Sequence, residues 1–519
     1  MKRLLSLLLA VLCAASLTAC GGGAEPPSVD ESGGVLDFRL GEGTSQETPG
    51  EVTFPLDGLL GVPEADHCPV VFILHGAHGV DDVTENRYYQ GFGYLVESLA
   101  RQGYLAVSIN INRAFSVEPF EGDEYTRAKA IFDQYYDLLR RANDGEQVFD
   151  QDLTGKADLT KLNFIGHSRG GDDALSIAKT LRDGGDESVR SVLLVSSPLM
   201  VPAERSYTDV PTGVILSQYD GDVTGLETAT LFNRAWFLDD ARQTPVTMAF
   251  LYGANHNQYN TAIAQEDSLA PPQGVTYLDG ATQREFLCLY AADFLNAFNR
   301  DGDVSALLGE DAPNRYGIDF MPSVLLPGGE RYLPDEAGLA LAETDGMDLS
   351  AAVFSQVPAS NTIAPFNPPG PLPEDITLYR LRWSALGQSV TLPLGDTDWT
   401  AWSTLSLLIA NDSTAPGNDG AVPLAFDIIV TDVSGACATV TLESDTAAAL
   451  RHQPTAVIDL FQGMDGLPEY FMAERHTPLG VLALPLDSFR GVDLSHVASV
   501  TLRGESSTGA CILGGARVN

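Results

Sequence analysis

The sequence predicts an α/β protein in two parts: a doubly wound, mostly parallel sheet over residues 35–300, then an all-β, jelly-roll-like sandwich over 376–519. Three observations carry this expectation. Short apolar runs alternate with helix-length amphipathic segments through the first part. Short strands separated by turn signals, with no long helical pattern, fill the last. Between them in importance stands "IGHSRGG" (165–171), a serine flanked by glycines where a strand gives way to a helix.

Each element follows in order. "VVFILHG" (70–76) is a continuous β-rich run, as expected of a strand buried on both faces of a parallel sheet. "YLVESLARQGY" reads as a helix closed by a glycine, and "LAVSININ" as the next strand. Residues 126–142 place Ala128, Ile131, Phe132, Tyr135, Leu138, Leu139 and Ala142 at helical spacing. Strand "KLNFIG", helix "GGDDALSIAKTL" and strands "VRSVLLVSS" and "GVILSQYD" come next. Helix "ETATLFNRAWFLDDA", strand "VTMAFLYG" and helix "TQREFLCLYAADFLNAF" complete the alternation. Residues 301–375, rich in Pro, Gly and acidic side chains, read as a connector. The strands of the last part run from "LYRLRW" to "VASVTLRG".

The first residues read as a targeting segment. "MKR" is a basic start, "LLSLLLAVLCAASL" an apolar stretch short for a mature span, and "LTAC" a small-residue cleavage site. "LTAC" resembles the bacterial lipobox, which implies a signal peptide over 1–19 and lipidation of Cys20. "CGGGAEPPSVDESGG" (20–34) reads as the flexible tether that would follow such an anchor, on an exported protein held at the outer membrane or cell surface; an ordinary signal peptide ending in "LTA" is the alternative. The chain carries 70 acidic against 30 basic side chains, a net charge of −40. Such a surface repels nucleic acid and anionic membranes, so the only membrane contact expected is through the anchor. Export permits disulfides. Among Cys68, Cys288, Cys437 and Cys511, the pairs Cys68–Cys288 and Cys437–Cys511 keep each bridge inside one part.

Gly166-His167-Ser168-Arg169-Gly170 is G-x-S-x-G between a strand and a helix, the setting a nucleophile elbow requires. The turn is sharp enough that a Cβ two residues before or after the serine would collide. A serine hydroxyl needs a general base, and the base a carboxylate to orient it. His256 in "LYGANHNQYN" is the one histidine between Ser168 and residue 451, and it follows a strand. Asp220 and Asp222 in "SQYDGDV" follow the preceding strand. Asp220, the first after it, is preferred as the acid, with Asp222 as the alternative. An oxyanion hole needs two backbone N–H groups. Arg169 supplies one, and Ala77 in "LHGAHG", with His78 next, is the candidate for the other. His75 and His78 lack a companion ligand set, so neither metal nor cofactor is expected. The Arg169 guanidinium has Asp172, Asp173 or an anionic substrate group as candidate partners.

"LHGAHG", "GHSRGG", "SQYDGDV" and "GANHNQYN", in that order, resemble an α/β-hydrolase of the esterase/lipase group. They are similar to the dienelactone-hydrolase, chlorophyllase and platelet-activating-factor-acetylhydrolase-like branches. The resemblance covers about residues 50–300 and implies a Ser168–Asp220–His256 triad, with Asp220 to Val223 matching the family's Asp-x-x-Val. Arg169 departs from the commoner Met, Gln or Leu.

Ser168 and Asp220 are separated by 52 residues, Asp220 and His256 by 36, which core elements nearly use up. No large cap fits, so an open site for bulky or polymeric carboxylic esters is expected. Trp383, Trp399 and Trp402 make the C-terminal part a candidate for carbohydrate or polymer contact. Its Asp-rich turns are a weak hint of Ca²⁺. A serine peptidase on the same fold and a non-catalytic surface-binding protein are the rival readings.

Overall fold

The computed structural model describes residues 34–46, 50–77, 87–115, 122–267, 275–300, 304–308, 312–332, 341–354, 376–412, 415, 418, 423–444, 447–452, 457–459, 472–474 and 478–519. The targeting segment, Cys20 and His78 lie outside these residues. No helix among the described residues is long and apolar enough to cross a membrane.

A nine-stranded sheet organises the first part: β1 (Val35–Ser45), β2 (Val52–Gly61), β3 (Cys68–Leu74), β4 (Leu105–Ile109), β5 (Ala157–His167), β6 (Val189–Val195), β7 (Thr212–Ser217), β8 (Val246–Leu251) and β9 (Phe320–Leu325). The spatial order is β1-β2-β4-β3-β5-β6-β7-β8-β9. Strands β3 to β8 are mutually parallel, with β1, β2 and β9 joining antiparallel at the two edges. Five longer helices accompany it: α1 (Gly93–Arg101), α2 (Glu124–Asn143), α3 (Arg169–Asp183), α4 (Ala229–Phe237) and α5 (Gly280–Asn299).

The period-two geometry of β3 divides these helices between two faces. Val70, Phe72 and Leu74 join one buried cluster with Ile131 and Phe132 of α2, Leu175 and Ile177 of α3, and Phe232 of α4. Val71 and Ile73 point the other way, toward Leu95 and Leu99 of α1 and Phe286 and Leu287 of α5. That is why β3 reads as an unbroken apolar run. The helical stripe of 126–142 buries as its spacing predicts, except that Leu138 is only partly covered. Asp123 caps α2 by accepting from the Thr126 N–H at 2.9 Å, and Asp279 caps α5 through Ala281 and Thr282.

The segment read as a connector carries strands. Its residues 320–325 become β9, paired with β8 from Phe320↔Leu251 to Leu325↔Val246. Further on, Glu330–Tyr332, Glu343–Asp345 and Asp348–Phe354 pair into the C-terminal sheets. Pro and Gly at their ends mask short strands that only edge pairing stabilises.

Two larger antiparallel sheets follow, together with a two-stranded one that pairs Val457–Asp459 with Met472–Glu474. One runs Asp348–Phe354, Ile376–Trp383, Gly509–Val518, Thr404–Asn411, Gly480–Pro485, with Glu330–Tyr332 also pairing the third of these. The other runs Glu343–Asp345, Ser389–Thr397, Val497–Gly504, Ala425–Asp432, Cys437–Glu443. The Trp383 ring, on the first sheet, fills the space over Gly504 of the second, where a Cβ would come within 2.5 Å of it. Its Nε1 donates to the Ser506 carbonyl at 3.1 Å. Trp383 and Trp399 are buried and Trp402 is partly so, packed against the core. These tryptophans do not form an exposed stacking surface. The second part docks on the first near β8 and β9: Tyr252 donates to the Ala448 carbonyl at 3.1 Å, and the Val481 N–H to Ser323 Oγ at 3.0 Å.

The expected disulfides are absent, and all four cysteines are free thiols. Cys68 opens buried β3, and Cys288 lies on α5 with its Sγ 3.9 Å from the Tyr94 carbonyl oxygen. Cys437 is exposed on the second C-terminal sheet, whereas Cys511 is buried in the first. Shared membership of a domain does not bring two side chains to bonding geometry.

Candidate active site

Ser168 sits where β5 meets α3, with φ 55° and ψ −138°. This left-handed conformation in a non-glycine residue costs of order 1–3 kcal/mol and persists only when the surroundings enforce it. They do. A Cβ on Gly166 would lie 2.3 Å from the Gly170 carbonyl oxygen, and one on Gly170 would lie 2.3 Å from that of His75. Only glycine lets the strand end, the helix start and the loop after β3 approach so closely. The serine thus heads a 15-residue helix whose first amides lack intrahelical partners.

Asp220 and His256 meet across the ends of β7 and β8. His256 Nδ1 lies 3.0 and 3.1 Å from the two Asp220 oxygens. Asp220 Oδ1 also accepts from the N–H groups of Asp222 at 3.0 Å and Val223 at 2.6 Å. Asp220 is therefore the buried carboxylate that meets Nδ1 of the imidazole. Asp222 is different: its side chain is 49% exposed, and its Oδ2 lies 3.4 Å from His256 Nε2, on the opposite edge of the ring. The geometry separates two aspartates that the sequence left as alternatives.

Burial alone would depress the His256 pKa, but the Asp220 charge and hydrogen bond, with Asp222 and Asp267 adding, raise it to about 9. Burial pushes Asp220 the other way from its partners, yet His256 and the two backbone amides hold its carboxyl below the ordinary range. The pair is an ion pair when the imidazole is protonated.

His256 is brought to the elbow through its main chain. Its carbonyl oxygen accepts from His167 Nε2 at 2.9 Å, and the two rings stand 4.8 Å apart. Donation to a carbonyl requires the proton on Nε2 of a neutral His167. Burial, and then the charge of His256, drop the His167 pKa to about 3 against the opposing pull of that hydrogen bond, which keeps the ring neutral. Asp267 adds a second tie, its Oδ2 accepting from the N–H of His256 at 2.9 Å and of Gly221 at 3.2 Å.

On the other side, the loop after β3 reaches the start of α3. Leu74 pairs in register with Gly166, two residues before Ser168, and Ala77 follows three residues after Leu74. His75 is spent on the backbone: Nδ1 donates to the Gly76 carbonyl at 2.9 Å and Nε2 accepts from the Ile111 N–H at 3.1 Å. Burial lowers its pKa to about 4, consistent with a neutral ring. Neither nitrogen is available to a metal, and the described residues contain no group of three or more metal-ligating side chains.

The Arg169 guanidinium pairs with Glu124, at 3.0 Å from Nε and through a second contact, and lies over the Phe115 ring at 5.2 Å. Neither Asp172 nor Asp173 is its hydrogen-bonding partner. Asp172 turns inward to accept from Ser197 Oγ at 2.7 Å and the Met200 N–H at 2.6 Å. Asp173 is wholly buried, and that burial holds its carboxyl well above the ordinary range.

No inserted domain interrupts the chain between Ser168 and His256; α3, β6, β7, α4 and β8 occupy it, with one short helical turn at Ala203–Ser206. Even so, Ser168 is only 4% exposed and His256 not at all.

His167, Asp267 and Glu124 escaped the sequence reading. Their partners are 89, 11 and 45 residues away, and no local pattern announces such contacts. A serine with an adjacent helix N-terminus and a carboxylate-backed imidazole can perform nucleophilic displacement at an acyl carbon. No protein-family profile matches the chain, and no curated protein matches it significantly.

Proposed function

We propose that this chain is a serine hydrolase of the α/β-hydrolase fold that cleaves carboxylic esters through an acyl-enzyme. The observation that carries the reading is His256: Nδ1 on a buried carboxylate, and its carbonyl hydrogen-bonded to the residue next to a serine at φ 55°. The strand order, with antiparallel β1 and β2 leading into a parallel sheet and the serine after β5, supports the same fold. The C-terminal antiparallel sheets are read as a sandwich sharing a core through Trp383. Export and lipidation at Cys20 belong to the proposal.

In this mechanism Ser168 Oγ attacks the ester carbonyl carbon while its proton passes to His256 Nε2. The carbonyl oxygen becomes an oxyanion that receives the N–H groups of Arg169 and Ala77. Collapse expels the alcohol, which takes the proton from His256 and leaves Ser168 acylated. Water then repeats the sequence, giving its proton to His256 and releasing the acid. Asp220 holds the imidazole in the tautomer with Nδ1 protonated and stabilises the imidazolium.

Labelling with a fluorophosphonate tests the reading. The wild type should be labelled and the Ser168→Ala variant not. Ester hydrolysis across an acyl-chain series and one insoluble polyester, set against peptide anilides, then identifies the bond cleaved. Absence of Ser168-dependent labelling would leave a binding protein, and preference for the anilides a peptidase.

A further inference from the structure

The Asp220–His256 pair is made by two loops, one after β7 and one after β8. Such a pair is only as well aligned as the loops that hold it, since misplacement by an ångström can cost about a hundredfold in rate. Asp267 touches both. Its Oδ2 accepts from the N–H of Gly221, the residue after the acid, at 3.2 Å, and from the N–H of the base itself at 2.9 Å. Asp267 is buried, and the loop that returns it is bound at intervals: Asn255 Nδ2 donates to the Glu266 carbonyl at 2.9 Å, and Gln265 Nε2 to the Asp267 carbonyl at 2.9 Å. Gln283 on α5 anchors the start of the same loop, accepting from the Asn255 N–H at 3.1 Å and donating to its carbonyl at 2.8 Å.

Burying a second carboxylate beside a pair that already contains one is unfavourable unless its charge is used. Two charge-assisted hydrogen bonds from backbone amides use it structurally. An imidazolium forming next to it uses it during turnover. We propose that Asp267 is a positioning residue, which clamps the acid loop to the base loop through its two backbone hydrogen bonds and adds negative charge behind His256. This inference rests on the hydrolase reading for its catalytic consequence, whereas the clamp and the charge act on the imidazole whatever the chain does.

Among the described residues, the ionisable groups facing His256 are Asp220 at Nδ1, Asp222 near Nε2, Asp267 at its backbone and neutral His167 beside its ring. Three carboxylates thus favour the protonated imidazole, and removing one lowers its pKa. Asp267→Asn keeps an oxygen that can accept both N–H groups but drops the charge; Asp267→Ala drops both.

The test has two independent readouts in the full-length chain. The first follows ester turnover against pH. Asp267→Ala should lose about tenfold or more in kcat with KM little changed. Asp267→Asn should recover most of that plateau while the acid limb of its profile moves down by about 1 pH unit. The second titrates the ¹⁵N-labelled histidines by NMR, assigning His256 by its disappearance in His256→Gln. The His256 titration should move down in Asp267→Asn, and this needs no turnover. An unshifted His256 in folded Asp267→Asn overturns the charge role, and wild-type kcat in Asp267→Ala overturns the clamp. If Asp267→Ala does not fold, the NMR shift in Asp267→Asn decides alone. Failure of fluorophosphonate labelling in the wild type would sink the hydrolase reading and leave the NMR comparison standing, so the two failures are distinguishable.

Discussion

His167 Nε2 donates to the carbonyl oxygen of His256 at 2.9 Å, so the residue before Ser168 grips the backbone of His256. The loop after β8 is thereby registered to the turn at Ser168 by a bond that involves the side chain of neither Ser168 nor His256. His167→Phe preserves an aromatic ring but leaves a buried carbonyl without this donor. Loss of such a bond costs about 1–3 kcal/mol. The expected outcome is a drop of about 5- to 150-fold in kcat/KM, from steady-state ester hydrolysis, with fluorophosphonate labelling slowed in proportion.

The acid limb of kcat/KM should lie well to the alkaline side of ordinary histidine. His256 stands at about 9 because Asp220 and its neighbours outweigh burial. In the proposed mechanism only the neutral imidazole can accept the Ser168 proton, so the rate should rise with pH through that region. Stability follows the opposite sign. A histidine raised above its unfolded value of about 6.5 stabilises the fold fully below that pH, and the contribution fades as pH climbs through the folded value. Activity should therefore rise while the melting temperature falls across pH 7 to 10, seen by parallel rate and thermal-unfolding profiles.

Asp220 and Asp222 should separate in kinetics as they do in space. Asp220→Asn deprives Nδ1 of its acceptor and disturbs the tautomer, for which a loss of about 10⁴ in kcat is expected. Asp222, half exposed and 3.4 Å from Nε2, contributes charge only. Asp222→Asn should keep labelling by fluorophosphonate and move the acid limb to lower pH. Equal losses in the two variants would contradict the assignment of Asp220 as the acid.

The strain at Ser168 makes a prediction that combines stability with loss of function. Glycine adopts φ 55°, ψ −138° without the clash that a Cβ creates. Ser168→Gly should raise stability by about 1 kcal/mol in denaturant unfolding while abolishing labelling. Ser168→Ala retains the Cβ and should abolish labelling without that gain. Gly170→Ala should do the reverse, because its Cβ would press to 2.3 Å on the His75 carbonyl oxygen and destabilise the elbow.

Much of this architecture was legible in the chain because its signals are local. Strand β3 announced burial on both faces by an unbroken apolar run, and α2 announced one face by its spacing. The glycines around Ser168 announced a turn too tight for side chains, and the ends of strands pointed to Asp220 and His256, which the fold brings together. Strand β9 was hidden inside a Pro- and Gly-rich segment, since an edge strand of six residues has little pattern of its own.

What the chain determined by itself was set by periodicity, turn chemistry and residue type, which act over a few positions. The tertiary structure alone decided that Asp220 rather than Asp222 faces Nδ1, that Glu124 takes Arg169, that Asp267 and His167 hold the His256 backbone, and that the four cysteines stay apart. Each of those outcomes depends on the angle and distance between side chains on different elements. Packing of the sheet and its loops sets those quantities, and no local pattern encodes them.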